Sequence, residues 1–215
     1  MKVRTQARRN AIVETAASVF LELGYEGASM KEVSTRLGGS KATLYGYFAS
    51  KEALFVAVVQ QYATAHLYDA VAGLARDAAQ GTGLVESLHR FGREMLKVLL
   101  NDAAAIKVYR MVLAQSGRSN IGTLFYQAGP SQSLDALAKI ISHAMSDGQL
   151  RAADAGLRAR QFLALMTAEL EERLFQHMPA PIDLNRIEEI VASAVELFMG
   201  GAQSSPASPP VDYSV

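Results

Sequence analysis

The apolar residues of this sequence recur every three or four positions almost throughout residues 12–199, as the buried face of an amphipathic α-helix requires. No segment has the strict alternation of apolar and polar residues that is typical of a half-buried strand. The sequence therefore predicts an all-α protein. The predicted helices cover about 12–24, 29–37, 40–47, 50–80, 84–100, 103–116, 119–147 with a break at 129–130, 156–177 and 185–199.

The composition is that of a globular protein, and it excludes several classes of function. Half of the 215 residues are apolar, 20% are charged and none is cysteine. The lack of cysteine excludes disulfides, thiolate metal sites and thiol catalysis. The longest purely apolar stretch, Ala53–Val59, is too short to span a bilayer, and the basic N-terminus leads into Glu14 rather than into the apolar core of a signal peptide. We therefore expect a cytoplasmic protein with no membrane partner.

The net charge of zero hides an asymmetry along the chain. Residues 1–51 contain eight basic and four acidic side chains, a balance of +4. Residues 52–215 contain thirteen basic and seventeen acidic side chains, a balance of −4. A basic end indicates a polyanionic partner when its charges lie on a defined structural element.

Residues 29–48 have the pattern of a helix-turn-helix. Ser29 and Glu32 have the spacing of a capping box, in which the serine accepts from the backbone of Glu32 and the carboxylate reaches back to the backbone of Ser29. The Gly38-Gly39 pair then forms a turn, and Ser40 opens a second short helix. In this motif the second helix lies in the major groove of DNA and the first crosses the backbone. The apolar residues predicted to face inward are Val33, Leu37 and Leu44.

The outer face of the second short helix carries groups that can bind DNA. With Leu44 inward, Lys41, Thr43 and Tyr45 cannot all be core residues. Ammonium and hydroxyl groups hydrogen-bond phosphate oxygens, and hydroxyl and guanidinium groups also read base edges. The predicted phosphate contacts are Tyr47 and Lys51, and the predicted base contacts are Arg36 and Thr43. The alternative is that the tyrosines pack against the fourth helix.

A set of short motifs runs through residues 9–59. It comprises Ile12 with Ala16-Ala17 and Phe20, then Leu23-Gly24-Tyr25, Ser29 with Glu32-Val33, Ser40-Lys41-Ala42-Thr43-Leu44-Tyr45, Tyr47-Phe48 and Ser50-Lys51-Glu52-Ala53-Leu54. Together these motifs resemble the N-terminal domain of the TetR/AcrR family of bacterial regulators. The family usually has alanine at the position of Ser34 and an aliphatic residue at that of Gly39, so this sequence departs from it near the turn.

The resemblance implies a DNA-binding head joined by the fourth helix to a larger helical body that binds a small-molecule effector and forms a homodimer. The head is expected at residues 6–66 and the body at 67–200. Residues 201–215 are rich in proline and serine and are predicted to be disordered. The resemblance implies that the protein binds double-stranded operator DNA. The residues that would line the DNA are Ser29, Thr35, Arg36, Ser40, Lys41, Ala42, Thr43, Tyr45, Tyr47 and Lys51.

One part of the body also has a recognisable pattern. The sequence LFYQAGP of residues 124–130 precedes a helix that ends at DGQLR, residues 147–151. Over about residues 105–175 the chain resembles the C-terminal domain of the AefR-like branch of the family. The family resemblance favours repression that a small apolar or amphipathic molecule relieves, with activation as the open alternative.

The last two predicted helices carry apolar stripes at helical spacing. A protein that reads two-fold symmetric DNA needs to be a dimer, and two helices from each chain can form a four-helix bundle. The alternative is that both stripes face the core of their own chain. The predicted interface residues are Phe162, Leu165, Leu170, Leu174, Ile187, Val191, Ala194, Leu197 and Phe198.

A ligand pocket is predicted among the body helices, with mostly apolar walls and a few polar groups. The candidate lining residues are Tyr62, His66, Phe91, Met95, Tyr109, Phe125 and Met166. The alternative is that each of them is an ordinary core residue.

A metalloenzyme is the main alternative to a regulator. Glu86 and His89 form one Glu-x-x-His pair, but a di-metal bundle needs two such pairs and two further glutamates. His66, His143 and His177 have no glutamate three positions earlier. We therefore predict no catalytic residue, metal or cofactor. A helical metal- or ligand-binding protein without working DNA recognition stays open as a second function.

Overall fold

A computed structural model of the protein describes residues 5–177 and 179–202, without the side chains of Ala65 and His66. Within these residues the chain forms twelve α-helices and no strand, which confirms the all-α prediction. The helices are α1 (Gln6–Gly27), α2 (Met30–Arg36), α3 (Lys41–Tyr47), α4 (Lys51–Val59), α5 (Ala65–Gln80), α6 (Leu84–Asn101), α7 (Ala103–Gln115), α8 (Ile121–Gln127), α9 (Pro130–Ser146), α10 (Ala155–Met166), α11 (Leu170–Phe175) and α12 (Leu184–Ala202).

Serines define the starts of α2, α3 and α4. The hydroxyl oxygens of Ser29, Ser40 and Ser50 each accept a hydrogen bond, at 3.1 Å, from the backbone N–H three residues later. Such N-caps satisfy amide donors that the helix itself leaves free. The predicted capping box forms only in part, because the carboxylate of Glu32 accepts from Nε of Arg36 at 2.8 Å instead of reaching back.

The predicted end of the first helix at Gly24 is a kink within α1. Gly24 has a φ of 70° and a ψ of 168°, and the chain makes a further turn up to Gly27. A glycine adopts this positive φ without the steric penalty that a Cβ atom imposes.

The prediction of one helix over 50–80 is wrong in its middle. A π-helical segment, Gln60–Thr64, separates α4 from α5. Here the hydroxyl of Thr64 donates to the carbonyl of Ala128 at 3.2 Å, and that of Tyr68 donates to the same oxygen at 2.8 Å. Because this carbonyl lies at the distant junction of α8 and α9, the local apolar period cannot predict the segment.

Two further predicted helix boundaries lie in the second half of the chain. Pro130 begins α9, which confirms the predicted break at 129–130. The predicted helix over 156–177 is wrong as a single element, because Thr167 ends α10 and donates through its hydroxyl to the carbonyl of Leu163 at 2.9 Å. Side-chain bonds of this kind compete with the helical backbone.

The final helix extends slightly beyond its prediction. Gly201 and Ala202, expected to begin the disordered tail, belong to α12, and the carbonyl of Ala202 accepts from the backbone of Arg151 at 2.8 Å. The rest of the predicted tail, residues 203–215, lies outside the described residues.

Two buried apolar clusters organise the molecule. The first unites α1–α4 with α7 and α8 and contains the edge-to-face pair Tyr25–Phe55, whose ring centroids are 5.1 Å apart. The second unites α5, α6, α9, α10 and α12 around Phe91, Phe162 and Phe198. The predicted boundary at residues 66/67 falls between the clusters along the chain, but α7 and α8 share their core with the N-terminal helices. The boundary stays a prediction.

Candidate nucleic-acid interface

The α2–α3 unit is held by a glycine turn and by one fully buried leucine. Leu44 of α3 is 0% exposed and belongs to the core of the first cluster. Gly38 has a φ of 66°, and the backbone N–H of Gly39 donates to the carbonyl of Ser34 at 3.0 Å. Ser34 is buried, and its hydroxyl donates to the carbonyl of Lys31 at 2.8 Å. A small side chain at this position permits α3 to lie close to α2.

The side of α3 opposite Leu44 is open to solvent. Lys41 and Ala42 are exposed at the start of the helix, and Tyr45 is 50% exposed one turn later. The hydroxyls of Ser40 and Thr43 lie 3.0 Å apart, within hydrogen-bonding distance of each other. These residues form a surface of one ammonium and several hydroxyl groups, which we call the α3 face.

Two predicted phosphate contacts have partners inside the protein. The hydroxyl of Tyr47 accepts from the backbone of Thr5 at 3.1 Å, and its ring packs against the first cluster. The ammonium group of Lys51 donates to the carbonyls of Tyr25 at 2.9 Å and Ala28 at 3.4 Å, and it lies 4.2 Å from the centroid of the Tyr25 ring. Lys51 therefore stabilises the junction of α1 and α4. Phosphate contacts of these two residues stay predictions.

Arg36 is also engaged in the free protein. Its guanidinium group forms ion pairs with Glu22 of α1 and with Glu32 of its own helix. The hydrogen bond to Arg36 lowers the pKa of Glu22, and both carboxylates raise the pKa of Arg36. To reach a base edge, Arg36 would have to leave both carboxylates. The remaining predicted DNA contacts, Ser29 and Thr35, are exposed on α2.

The first turns of α1 add basic groups beside this unit, which the predicted DNA-contact set does not include. A Cβ atom on Gly39 would lie 3.0 Å from Nη2 of Arg8, so the missing side chain makes room for this guanidinium. Arg9 lies 5.2 Å from the centroid of the Phe48 ring. The positive balance of residues 1–51 was the available signal, but it did not say which side chains face the turn.

A polar contact joins α7 to the kink of α1. The backbone N–H of Tyr25 donates to Oε1 of Gln115 at 2.9 Å. The hydroxyl of Tyr25 donates to Glu52 at 3.3 Å, and burial raises the pKa of Tyr25. The start of α4 and the end of α7 thus meet at one buried tyrosine.

Most of the predicted dimer residues face the core of their own chain. Six of them are buried in the second cluster, as expected if the apolar stripes face the core of their own chain: Phe162, Leu170, Ile187, Val191, Ala194 and Phe198. Leu165 and Leu174 are half-buried, and Leu197 is 63% exposed. The exposed side of α10 and α12 is a shallow groove that includes Ala164, Leu165 and Leu197. An interface on these helices would use this outer side.

The predicted pocket residues do not surround one cavity. Tyr62, Tyr109 and Phe125 pack with the first cluster, whereas Phe91, Met95 and Met166 are buried in the second. The described side chains of this set are thus divided between two cores, and a shared pocket stays a prediction. The side chain of His66 lies outside the described part of the chain.

The metalloenzyme hypothesis requires a cluster of metal ligands. Across 5–177 and 179–202 no three His, Asp or Glu side chains converge as a set of metal ligands. In the same ranges no helix combines the length and the apolar character needed to cross a bilayer.

A serine-capped helix pair with an exposed second helix, carried on a larger helical body, is the architecture of a helix-turn-helix regulator. The family of bacterial regulatory proteins named after TetR matches residues 12–58, and the C-terminal domain of AefR-like transcriptional repressors matches residues 86–201. The chain belongs to the TetR family.

Individual relatives agree with this assignment. The HTH-type transcriptional activator FasR of Mycolicibacterium smegmatis is 42% identical over 55 residues, which are 26% of this chain and 25% of FasR. A TetR-family regulator from Mesorhizobium loti is 25% identical, with a TM-score of 0.73 over 93% of this chain and all of that one. The flavonoid-responsive regulator FrrA is 28% identical, with a TM-score of 0.71 over 95% of this chain and all of FrrA.

Proposed function

We propose that the protein is a homodimeric transcriptional repressor that binds a palindromic operator and releases it when a small molecule binds the body. In this proposal the head comprises residues 6–66 and the body residues 67–200. The observation that carries the proposal is the α3 face: Leu44 is fully buried beneath α3 while Lys41, Ala42 and Tyr45 are open to solvent. A recognition helix needs this division between an anchored side and a side that enters the major groove.

Repression is favoured over activation by the match of residues 86–201 to the C-terminal domain of AefR-like repressors. A small-molecule effector is supported by FrrA, which is described as flavonoid-responsive. The contact between Gln115 and Tyr25 supplies a route for the signal, since a shift of α7 would move the kink of α1.

Dimerisation follows from the symmetry of the proposed operator and from the outer side of α10 and α12. Leu197 is 63% exposed and lies beside Leu165 in an open groove. A second copy of the same groove, related by a two-fold axis, would cover these leucines.

The test is selection of binding sites from a library of random DNA duplexes, followed by footprinting of the enriched sequence. We expect an enriched palindrome whose half-site centres are about one helical turn, or a multiple of it, apart. The matched control is a double variant of the α3 face, Lys41→Ala with Tyr45→Ala, in which both residues are exposed and the fold is expected to survive. Enrichment of a site without two-fold symmetry, or equal enrichment by the double variant, would contradict the proposal.

A further inference from the structure

A cavity of about 420 Å³ lies at the edge of the second apolar cluster, between the α6–α7 junction and the segment that follows α11. Its apolar lining residues include Leu100, Ile106, Pro179 and Pro181. Its volume is within the range of small-molecule sites, which is about 300–1,000 Å³. The sequence predicts no ligand site there.

Two arginines line this cavity, and neither has a carboxylate partner within the described residues. Arg173 is 8% exposed, and its Nη2 donates to the carbonyls of Leu100 at 2.7 Å and Ala180 at 2.8 Å. Arg110 donates to the carbonyls of Arg173, Gln176 and His177. Carbonyl oxygens satisfy N–H donors but do not neutralise a positive charge.

Both guanidinium groups keep an unused donor. The Nε atoms of Arg110 and Arg173 are buried and have no hydrogen-bond acceptor among the described residues. Their Nη atoms donate to carbonyl oxygens of the segment after α11, so the contacts of both guanidinium groups are with neutral acceptors. A buried donor without a partner costs free energy, and a buried charge without a counter-ion costs more.

The surroundings of the two arginines are positive as well. Lys107 adds a third positive charge to the lining of the cavity, and none of the described lining residues is acidic. Two acids are next to lining residues in sequence. Asp102 accepts from the backbone of Ala104 at 2.7 Å and of Ala105 at 3.1 Å, so it caps α7, and Glu172 is exposed on α11. Burial lowers the pKa of Arg173, with a smaller opposing effect of Glu169.

We propose that this cavity binds a small amphipathic carboxylic acid, with its carboxylate at Arg110 and Arg173 and its apolar part against Leu100, Ile106 and the prolines. A carboxylate in the cavity would supply the negative charge that the two guanidinium groups lack. Lys107 is exposed at the rim, where it would attract the anion. Only the further step, that this acid is the effector of the regulator, rests on the proposed function.

The test is calorimetric titration of the full chain without DNA, using 2-naphthoate and, as the uncharged match, 2-naphthylmethanol. We expect one molecule of acid per chain and an affinity at least about tenfold above that of the alcohol, because charge-assisted hydrogen bonds contribute more than neutral ones. Equal binding of acid and alcohol, or no binding of the acid, would overturn the proposal. Because no DNA is present, failure of the operator proposal does not affect this result.

Variants assign the binding to the cavity. Arg110→Met should weaken the binding of 2-naphthoate about 10-fold to 100-fold, whereas Arg76→Met, at an exposed arginine of α5, should not.

Since Arg110 also fastens the segment after α11, a second variant leaves both guanidinium groups in place. Ala103→Phe fills the cavity from its exposed rim. The control is Ala75→Phe, at an exposed position of α5. Unchanged affinity in Ala103→Phe would overturn the assignment.

Discussion

Gly24 shows at the residue scale how a single side chain is excluded by two independent constraints. Its φ of 70° disfavours any residue with a Cβ atom, and an added Cβ would lie 2.5 Å from Nε2 of Gln115. The same glutamine accepts from the backbone of Tyr25 at 2.9 Å. The kink of α1 and its contact with α7 therefore depend on one glycine.

We expect Gly24→Ala to lower the free energy of unfolding by about 1–3 kcal/mol, because its φ of 70° and ψ of 168° lie in a region that is essentially restricted to glycine. Urea denaturation of this variant and of Gly27→Ala is the measurement. Gly27 has no positive φ, and the nearest atom to its added Cβ is 3.6 Å away, so the control should retain wild-type stability. Equal stability of the two variants would show that the kink is not constrained in this way.

Lys41 and Lys51 have different roles in the structure although both lie in the basic head. Lys41→Ala should reduce the slope of log operator affinity against log salt by about one, since one phosphate contact is lost. Lys51→Ala should instead lower the thermal midpoint, because two carbonyls at the end of α1 lose their donor. Salt titrations with a selected operator and thermal melts of both variants separate the two effects. An unchanged slope for Lys41→Ala would place α3 outside the groove.

At the scale of elements, neighbouring positions on α12 have opposite environments. Phe198 is 4% exposed and contacts the Phe162 ring at a centroid distance of 5.1 Å, whereas Leu197 is 63% exposed. A helix that is buried on one side and apolar on part of the other is expected to pack against a second surface.

Leu197→Glu should give a folded monomer, because the charge falls on the outer side of α12 and not in the core. Phe198→Glu should unfold the body, because a buried carboxylate has no partner there. Analytical ultracentrifugation with circular dichroism distinguishes the outcomes. The exposed α9 substitution Lys139→Glu is the control and should leave the dimer intact. A dimeric Leu197→Glu variant with wild-type dissociation constant would place the interface elsewhere.

For the whole molecule, α7 spans the distance between the arginine-lined cavity and the head. Ile106 and Arg110 on this helix line the cavity, and Gln115 at its end contacts Tyr25. We propose α7 as the element that couples the two sites, and a coupling free energy between binding sites is reciprocal.

We expect 2-naphthoate to weaken operator binding by about 5–150-fold, and operator to weaken 2-naphthoate binding by the same factor. Gln115→Ala should reduce this factor while the acid still binds the free protein. Gln127→Ala, at an exposed residue of α8, serves as the control. The measurement is calorimetry of 2-naphthoate with and without operator duplex, paired with operator titrations. A full coupling factor in Gln115→Ala would rule out α7 as the connection.

Features that depend on a few consecutive residues were readable from the sequence. The hydroxyl caps at Ser29, Ser40 and Ser50, the break before Pro130 and the buried position of Leu44 all follow from patterns shorter than ten residues. Helix propensity, capping and apolar period act over such distances, so they report helix type and most boundaries correctly.

The partner of each side chain depends on tertiary packing and could not be predicted from the sequence. Thr64, at the end of the π-helical segment, donates to a carbonyl 64 positions away, and Arg110 at the cavity donates to a backbone oxygen 63 positions away. Periodicity marked the apolar stripes of α10 and α12 but not which core would bury them, and it grouped Tyr62 with Met166 although two cores separate them. The reason is physical: a periodic pattern states that a face is buried, whereas the identity of its neighbours depends on how distant segments pack.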